Sequence, residues 1–120
     1  MSWQIRKKKK EMLLYQFTNE NFRSLFGIDE KRLEFTWYDP ENKIAETHFM
    51  TKMKGRRIYF FEREGKYQRK IKYTYILYPN GDGKEVTEYF ASSGKVIRHF
   101  ADKFRLMDPR KAPQFVRDTF

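Results

Sequence analysis

The densest chemistry-bearing stretch of the chain lies between Lys52 and Lys72, where nine cations face only two carboxylates, Glu62 and Glu64. Lys52, Lys54, Arg56, Arg57, Arg63, Lys66, Lys70 and Lys72 are candidate phosphate contacts. Tyr59, Phe61, Tyr67, Tyr73 and Tyr78 are the rings interleaved with them or close by. Cations that track a phosphate backbone, with rings that stack on bases, are how sequence-tolerant single-strand binders work, each stack contributing on the order of 1–3 kcal/mol. A second block, Arg6, Lys7, Lys8, Lys9 and Lys10, is a run of like charge of the kind found in flexible arms that touch nucleic acid. The formal net charge of +10 attracts polyanions generally, whether nucleic acid, anionic lipid or an acidic protein. The rings have a competing use. With only six leucines in 120 residues, the core must itself be built from Phe, Tyr and Ile.

Catalysis finds little support. His48 shares a strand face with Glu46, and His99 can meet Glu88 across a hairpin, but the two histidines are far apart and lack metal-ligand spacing. General acid–base work needs such groups to converge in a pocket. There is no cysteine, which removes disulfides, thiolate nucleophiles and cysteine-ligated zinc. No phosphate-cradling glycine loop, zinc-protease helix or nucleophile elbow is present. No catalytic residue, metal or cofactor is assigned from the sequence.

The elements that would position these groups are mostly strands. Segments 32–38, 43–53, 56–62, 66–78, 85–91 and 95–101 alternate apolar and polar residues or are rich in aromatic and β-branched ones. Asp39-Pro40-Glu41-Asn42, Glu64-Gly65, Pro79-Asn80-Gly81-Asp82-Gly83 and Ser92-Ser93-Gly94 separate them as turns. Turns this short connect antiparallel neighbours. The expected fold is mainly β: a six-stranded antiparallel meander forming a curved sheet or small barrel. A short helix at about 20–26 is expected from the spacing of Phe22, Leu25 and Phe26, with 11–18 open between helix and strand. The C-terminus, interrupted by Pro109 and Pro113, holds at most a short helix started at Pro113 and carrying Phe115, Val116 and Phe120 inward. Residues 1–10 read as a basic flexible arm and 11–120 as a single domain. In the longest strand, Tyr67, Arg69, Ile71, Tyr73, Tyr75 and Leu77 take one face, and Lys66, Gln68, Lys70, Lys72 and Thr74 the other.

Two short resemblances accompany this pattern. Tyr78-Pro79-Asn80-Gly81 followed by Tyr89-Phe90 and Gly94-Lys95 resembles the rhythm of MORN-type repeats over about 20 residues. The segment from Tyr89 through Gly94-Lys95-Val96-Ile97-Arg98 to Phe100 resembles the closing hairpin of the NTF2-like and SnoaL-like families, which implies a curved sheet around a pocket. No function is carried over from either.

Three functions follow as expectations. The first is a nucleic-acid-binding protein (DNA or RNA) using the cationic, aromatic-interleaved sheet face together with the arm. The second is a small-ligand-binding curved sheet or barrel, lipocalin-like or NTF2-like. The third is an interaction or inhibitor factor with an acidic protein partner. No apolar run reaches the roughly 20 residues that span a bilayer, so a cytoplasmic protein without a membrane span is expected. Homodimerisation through a sheet edge is open to it.

Overall fold

The structure is a computed structural model and describes residues 12–18, 25–66 and 70–119. Nine strands form one antiparallel sheet: β1 (Met12–Phe17), β2 (Leu25–Asp29), β3 (Glu34–Asp39), β4 (Ile44–Phe49), β5 (Thr51–Lys52), β6 (Ile58–Arg63), β7 (Lys70–Leu77), β8 (Asp82–Phe90) and β9 (Val96–Leu106). Their order is β4-β3-β2-β1-β9-β8-β7-β6-β5. A pairing of β1 with β9, Tyr15 opposite Leu106 and Phe17 opposite Phe104, joins two meanders into one sheet. The two edge strands, β4 and β5, are consecutive in the chain and linked through Met50. Because its two ends are tethered in this way, the sheet is rolled into a cup. Met50 is buried, and its N–H donates to the Leu33 carbonyl at 2.7 Å.

The turns form where the residues ask for them. Asp39 Oδ1 accepts from the Asn42 N–H at 3.3 Å, and Asn80 Oδ1 from the Asp82 N–H at 2.9 Å, the Asx-type bonds that make these residues turn formers. Gly81 sits at φ +93°, a region open to glycine at little cost. Gly83 is required for a different reason. A Cβ there would stand 2.6 Å from the Ile76 carbonyl oxygen and against the Phe104 ring.

The interior of the cup is aromatic. Phe26, fully buried, packs edge-on to Phe104 at 5.0 Å between centroids and stacks with Phe35 at 5.4 Å and Tyr15 at 5.5 Å. Phe35 of β3 meets Tyr75 of β7 at 4.7 Å and Phe61 of β6 at 5.2 Å, so opposite arms of the sheet touch across the interior. A second cluster lies on the outer side of β1–β3. There Met12, Leu14, Leu25 and Tyr38 are covered by Val116 and Ala112. These come from the C-terminal segment, which holds a short 3-10 turn (Pro109–Lys111) and helix α1 (Gln114–Arg117), with Pro113 at the N-cap position. Thr119 Oγ1 donates to Tyr38 Oη at 2.9 Å and pins the segment down.

That second cluster explains where the fold departs from expectation. The sheet has nine strands, not six, and the helix expected at about 20–26 is not found: Leu25 and Phe26 belong to β2, while 19–24 lie outside the described residues. Leu25 faces the C-terminal segment and Phe26 the cup. Strands buried on both faces lose the polar alternation that marks a strand, and a short apolar run is then not distinguishable from helix by periodicity. The same holds for β1, where Leu14 and Tyr15, on opposite faces, are both 1% exposed. β9 runs to Leu106 rather than stopping at residue 101, and the expected 43–53 strand divides into β4 and β5 at Met50. The short helix after Pro113 and the inward Val116 are as expected; Phe115 packs at the cluster's margin, and Phe120 lies outside the described residues.

Candidate functional site

Period-two alternation aims one set of side chains from every arm of the sheet into the cup. β3 supplies Phe35 and Trp37, and β4 supplies Glu46 and His48. β6 contributes Phe61 and Arg63, β7 Tyr73 and Tyr75, and β8 Glu85, Thr87 and Tyr89. β9 adds Phe100 and Asp102, and β1 adds Phe17. Together they line a cavity of about 590 Å³. Outside the cavity lining, a charged clasp holds the core residue Tyr59. Arg57 donates from Nε and Nη2 to the two carboxylate oxygens of Glu30, at 2.9 and 2.7 Å, and Tyr59 Oη donates to the same carboxylate at 2.6 Å. The Arg57 hydrogen bonds hold the Glu30 carboxyl below its usual range against the opposing cost of burial.

The polar groups of the cavity fall into three sets. Glu46 Oε2 lies 3.4 Å from His48 Nε2, and the imidazole stacks on Phe61 at 4.6 Å with the rings within 7° of parallel. Arg63 donates from Nη2 and Nε to Tyr73 Oη at 2.8 and 3.1 Å. Glu85 stands directly opposite Asp102 in the β8–β9 ladder and accepts from Thr87 Oγ1 at 3.4 Å. Burial pushes the Glu85 carboxyl up, and the Asp102 charge adds to that; hydrogen bonds from Tyr75 and Thr87 oppose it. The Tyr75 hydroxyl is raised well above its usual value, mainly by burial.

The described cations among those proposed from sequence are spread over β5, β6, β7 and their connections. Lys70 and Lys72 do share the outer face of β7, but each has a local partner: Lys70 Nζ is 3.0 Å from Glu62 Oε2, and Lys72 Nζ lies 4.4 Å from the Phe60 ring centroid. Lys52, Lys54 and Arg56 are exposed at the β5–β6 turn, and Lys66 is exposed in the β6–β7 connection. Arg57 is held by Glu30, and Arg63 turns into the cavity. Tyr59 is 1% exposed and offers no face to a base, whereas Phe61 and Tyr73 line the cup and Tyr78 is exposed. Tyr67 and the arm from Arg6 to Lys10 lie outside the described residues. His99 pairs with Glu88 across the last hairpin, on the outer face. Among the described residues no group of three His, Asp or Glu side chains is placed to hold a metal. No helix among them is long and apolar enough to cross a membrane.

Phe17, Phe35, Trp37, Glu85, Thr87, Phe100 and Asp102 were not singled out from sequence. The signal was present in two of the strands: Glu85-x-Thr87-x-Tyr89 and Phe100-x-Asp102-x-Phe104 place an acid in register with inward rings. A carboxylate on the aromatic face of a strand is the feature to look for, because an unpaired charge there is costly without a use.

No family model, curated protein or solved structure matches this chain. The functional reading therefore rests on the geometry.

Proposed function

We propose that the protein binds a small organic molecule inside the rolled sheet. The observation that carries this reading is the cavity itself. It has the size range of ligand sites, aromatic walls, and a few convergent polar groups able to fix orientation. Seven strands meet there with rings already stacked on one another, so little ordering is left to be done on binding. The test is a thermal-shift panel of small aromatic compounds, because any ligand present well above its Kd and bound only to the folded state raises the melting temperature. A raised melting temperature, with NMR shifts confined to cavity residues such as Tyr73, Tyr89 and Phe100, supports the reading. A flat panel overturns it.

A second reading, nucleic-acid binding on the outer face, is favoured by one observation. Lys84 stands directly opposite Lys103 in the β8–β9 ladder, and like charges so placed are destabilising until something neutralises them. With Lys70 and Lys72 on the same outer side, they form the anionic-ligand face that remains once Arg57 and Arg63 are accounted for. Anisotropy titrations of the nuclease-treated protein with single- and double-stranded DNA and RNA, at about 50 and 200 mM salt, test it. Form-selective binding that survives the higher salt supports this face; loss of all binding there leaves only generic charge.

A further inference from the structure

The cavity carries an acid surplus within a chain of net charge +10. Its ionisable lining is Glu46, Glu85 and Asp102 against Arg63 and His48. The last two are committed, Arg63 to the Tyr73 hydroxyl and His48 to Glu46. Glu85 and Asp102 face each other across one rung with no cation between them, and the Asp102 carboxylate has no hydrogen bond or ion pair among the described residues. The lysines adjacent to them in sequence, Lys84 and Lys103, point to the other side of the sheet. Around this pair stand the rings of Tyr73, Tyr75, Tyr89 and Phe100.

Resting on the ligand-binding reading above, we infer that the cup takes an organic cation, an aromatic or alkylated ammonium whose charge lies against Glu85 and Asp102 and whose body packs among the surrounding rings. Ring faces carry a negative quadrupole and attract cations, so carboxylates and walls favour the same ligand class. Such a ligand also relieves the repulsion within the acid pair, which no neutral ligand does. An organic ammonium, shielded by its alkyl groups, is more weakly hydrated than an inorganic ion and loses less on entering an aromatic cup.

Three compounds sharing one phenol ring separate the outcomes: meta-hydroxyphenyl-trimethylammonium, its neutral isostere meta-tert-butylphenol, and meta-hydroxybenzenesulfonate. Calorimetric titration should find the ammonium bound roughly tenfold or more tighter than the isostere, the equivalent of one cation–π contact plus a partly screened ion pair. The sulfonate should bind weakest. In the double variant Glu85→Gln, Asp102→Asn the preference for the cation should shrink severalfold, to what the rings alone confer, while the isostere's affinity is kept. The same preference persisting in that variant overturns the role given to the two acids. Equal or tighter binding of the isostere or the sulfonate by the native chain overturns the cation assignment and leaves the ligand-binding reading standing. Failure of all three, together with a flat thermal-shift panel, overturns both.

Discussion

Arg57 grips Glu30 with two parallel N–H···O bonds from 27 positions away in sequence, joining the β2–β3 turn to the residue before β6. Neither residue belongs to a strand that pairs with the other's. The clasp therefore resists the opening of the roll itself, which the ladder hydrogen bonds within each arm do not. Tyr59, donating to the same carboxylate, adds a buried stem beneath it.

Removing the clasp should loosen the roll. Arg57→Ala is expected to lower stability by about 1–2 kcal/mol, the scale of a charge-assisted hydrogen-bonded pair that is partly exposed. The pH dependence has a definite sign. Because the Glu30 carboxyl is held below its unfolded value, its contribution is present above the ordinary glutamate range and is lost as pH falls through the folded value. Urea titrations at neutral and acid pH should show the gap between native and variant chains closing on the acid side.

The Phe26 ring is the hub of the core, and its truncation should be close to lethal for the fold. Phe26→Ala should cost about 3–5 kcal/mol, a large share of the roughly 5–15 kcal/mol that such a domain holds in total. Loss of a cooperative thermal transition, or a midpoint in urea less than half the native one, is the expected reading.

Glu85 should behave in the opposite way to Glu30. Its folded carboxyl is pushed up by burial first and by Asp102 second. Stability linked to it is then greatest below its unfolded value and declines as pH rises through the folded one. Glu85→Gln removes that titration. The variant's melting temperature relative to the native chain should rise from acid to neutral pH, and a constant difference across that span would contradict the burial of a charge at this position.

The like-charged rung on the outer face should be relieved by reversal. Lys103→Glu, facing Lys84, is expected to raise stability by roughly 0.2–1 kcal/mol, the range of cross-strand pair effects. The same change should weaken any nucleic-acid binding through this face while leaving cavity ligands unaffected, since Lys103 points away from the cup. Paired melting and anisotropy measurements on one variant read both effects.

Val116, with no exposed surface, holds α1 against β1–β3. Val116→Ala should cost about 1–3 kcal/mol through lost burial and the space left behind. Because the contact lies on the opposite side of the sheet from the cavity, ligand affinity measured on the folded fraction should not change.

The sequence by itself determined the antiparallel β class, most of the hairpins and the division of β7 into a ring face and an amine face. Those features follow from local chemistry: Asp39-Pro40, Asn80-Gly81 and Ser93-Gly94 set their turns, and residues 70–77 alternate because one side faces water. Only the tertiary structure decided that β1 and β2 are strands. Their two faces are covered by different partners, the cup and the C-terminal segment, which erases the alternation that would have announced them. It also decided the site. Arg57 follows the exposed Arg56 and Arg63 lies between Glu62 and Glu64 in sequence, yet one is drawn to Glu30 and the other into the cavity. Which way a charged side chain is turned depends on what the rolled sheet places opposite it, and that partner is 27 positions away for Arg57 and 10 for Arg63. The pairing of Glu85 with Asp102 likewise needed β9 to continue past residue 101, and it continues because β1 supplies the neighbour that its final residues pair with.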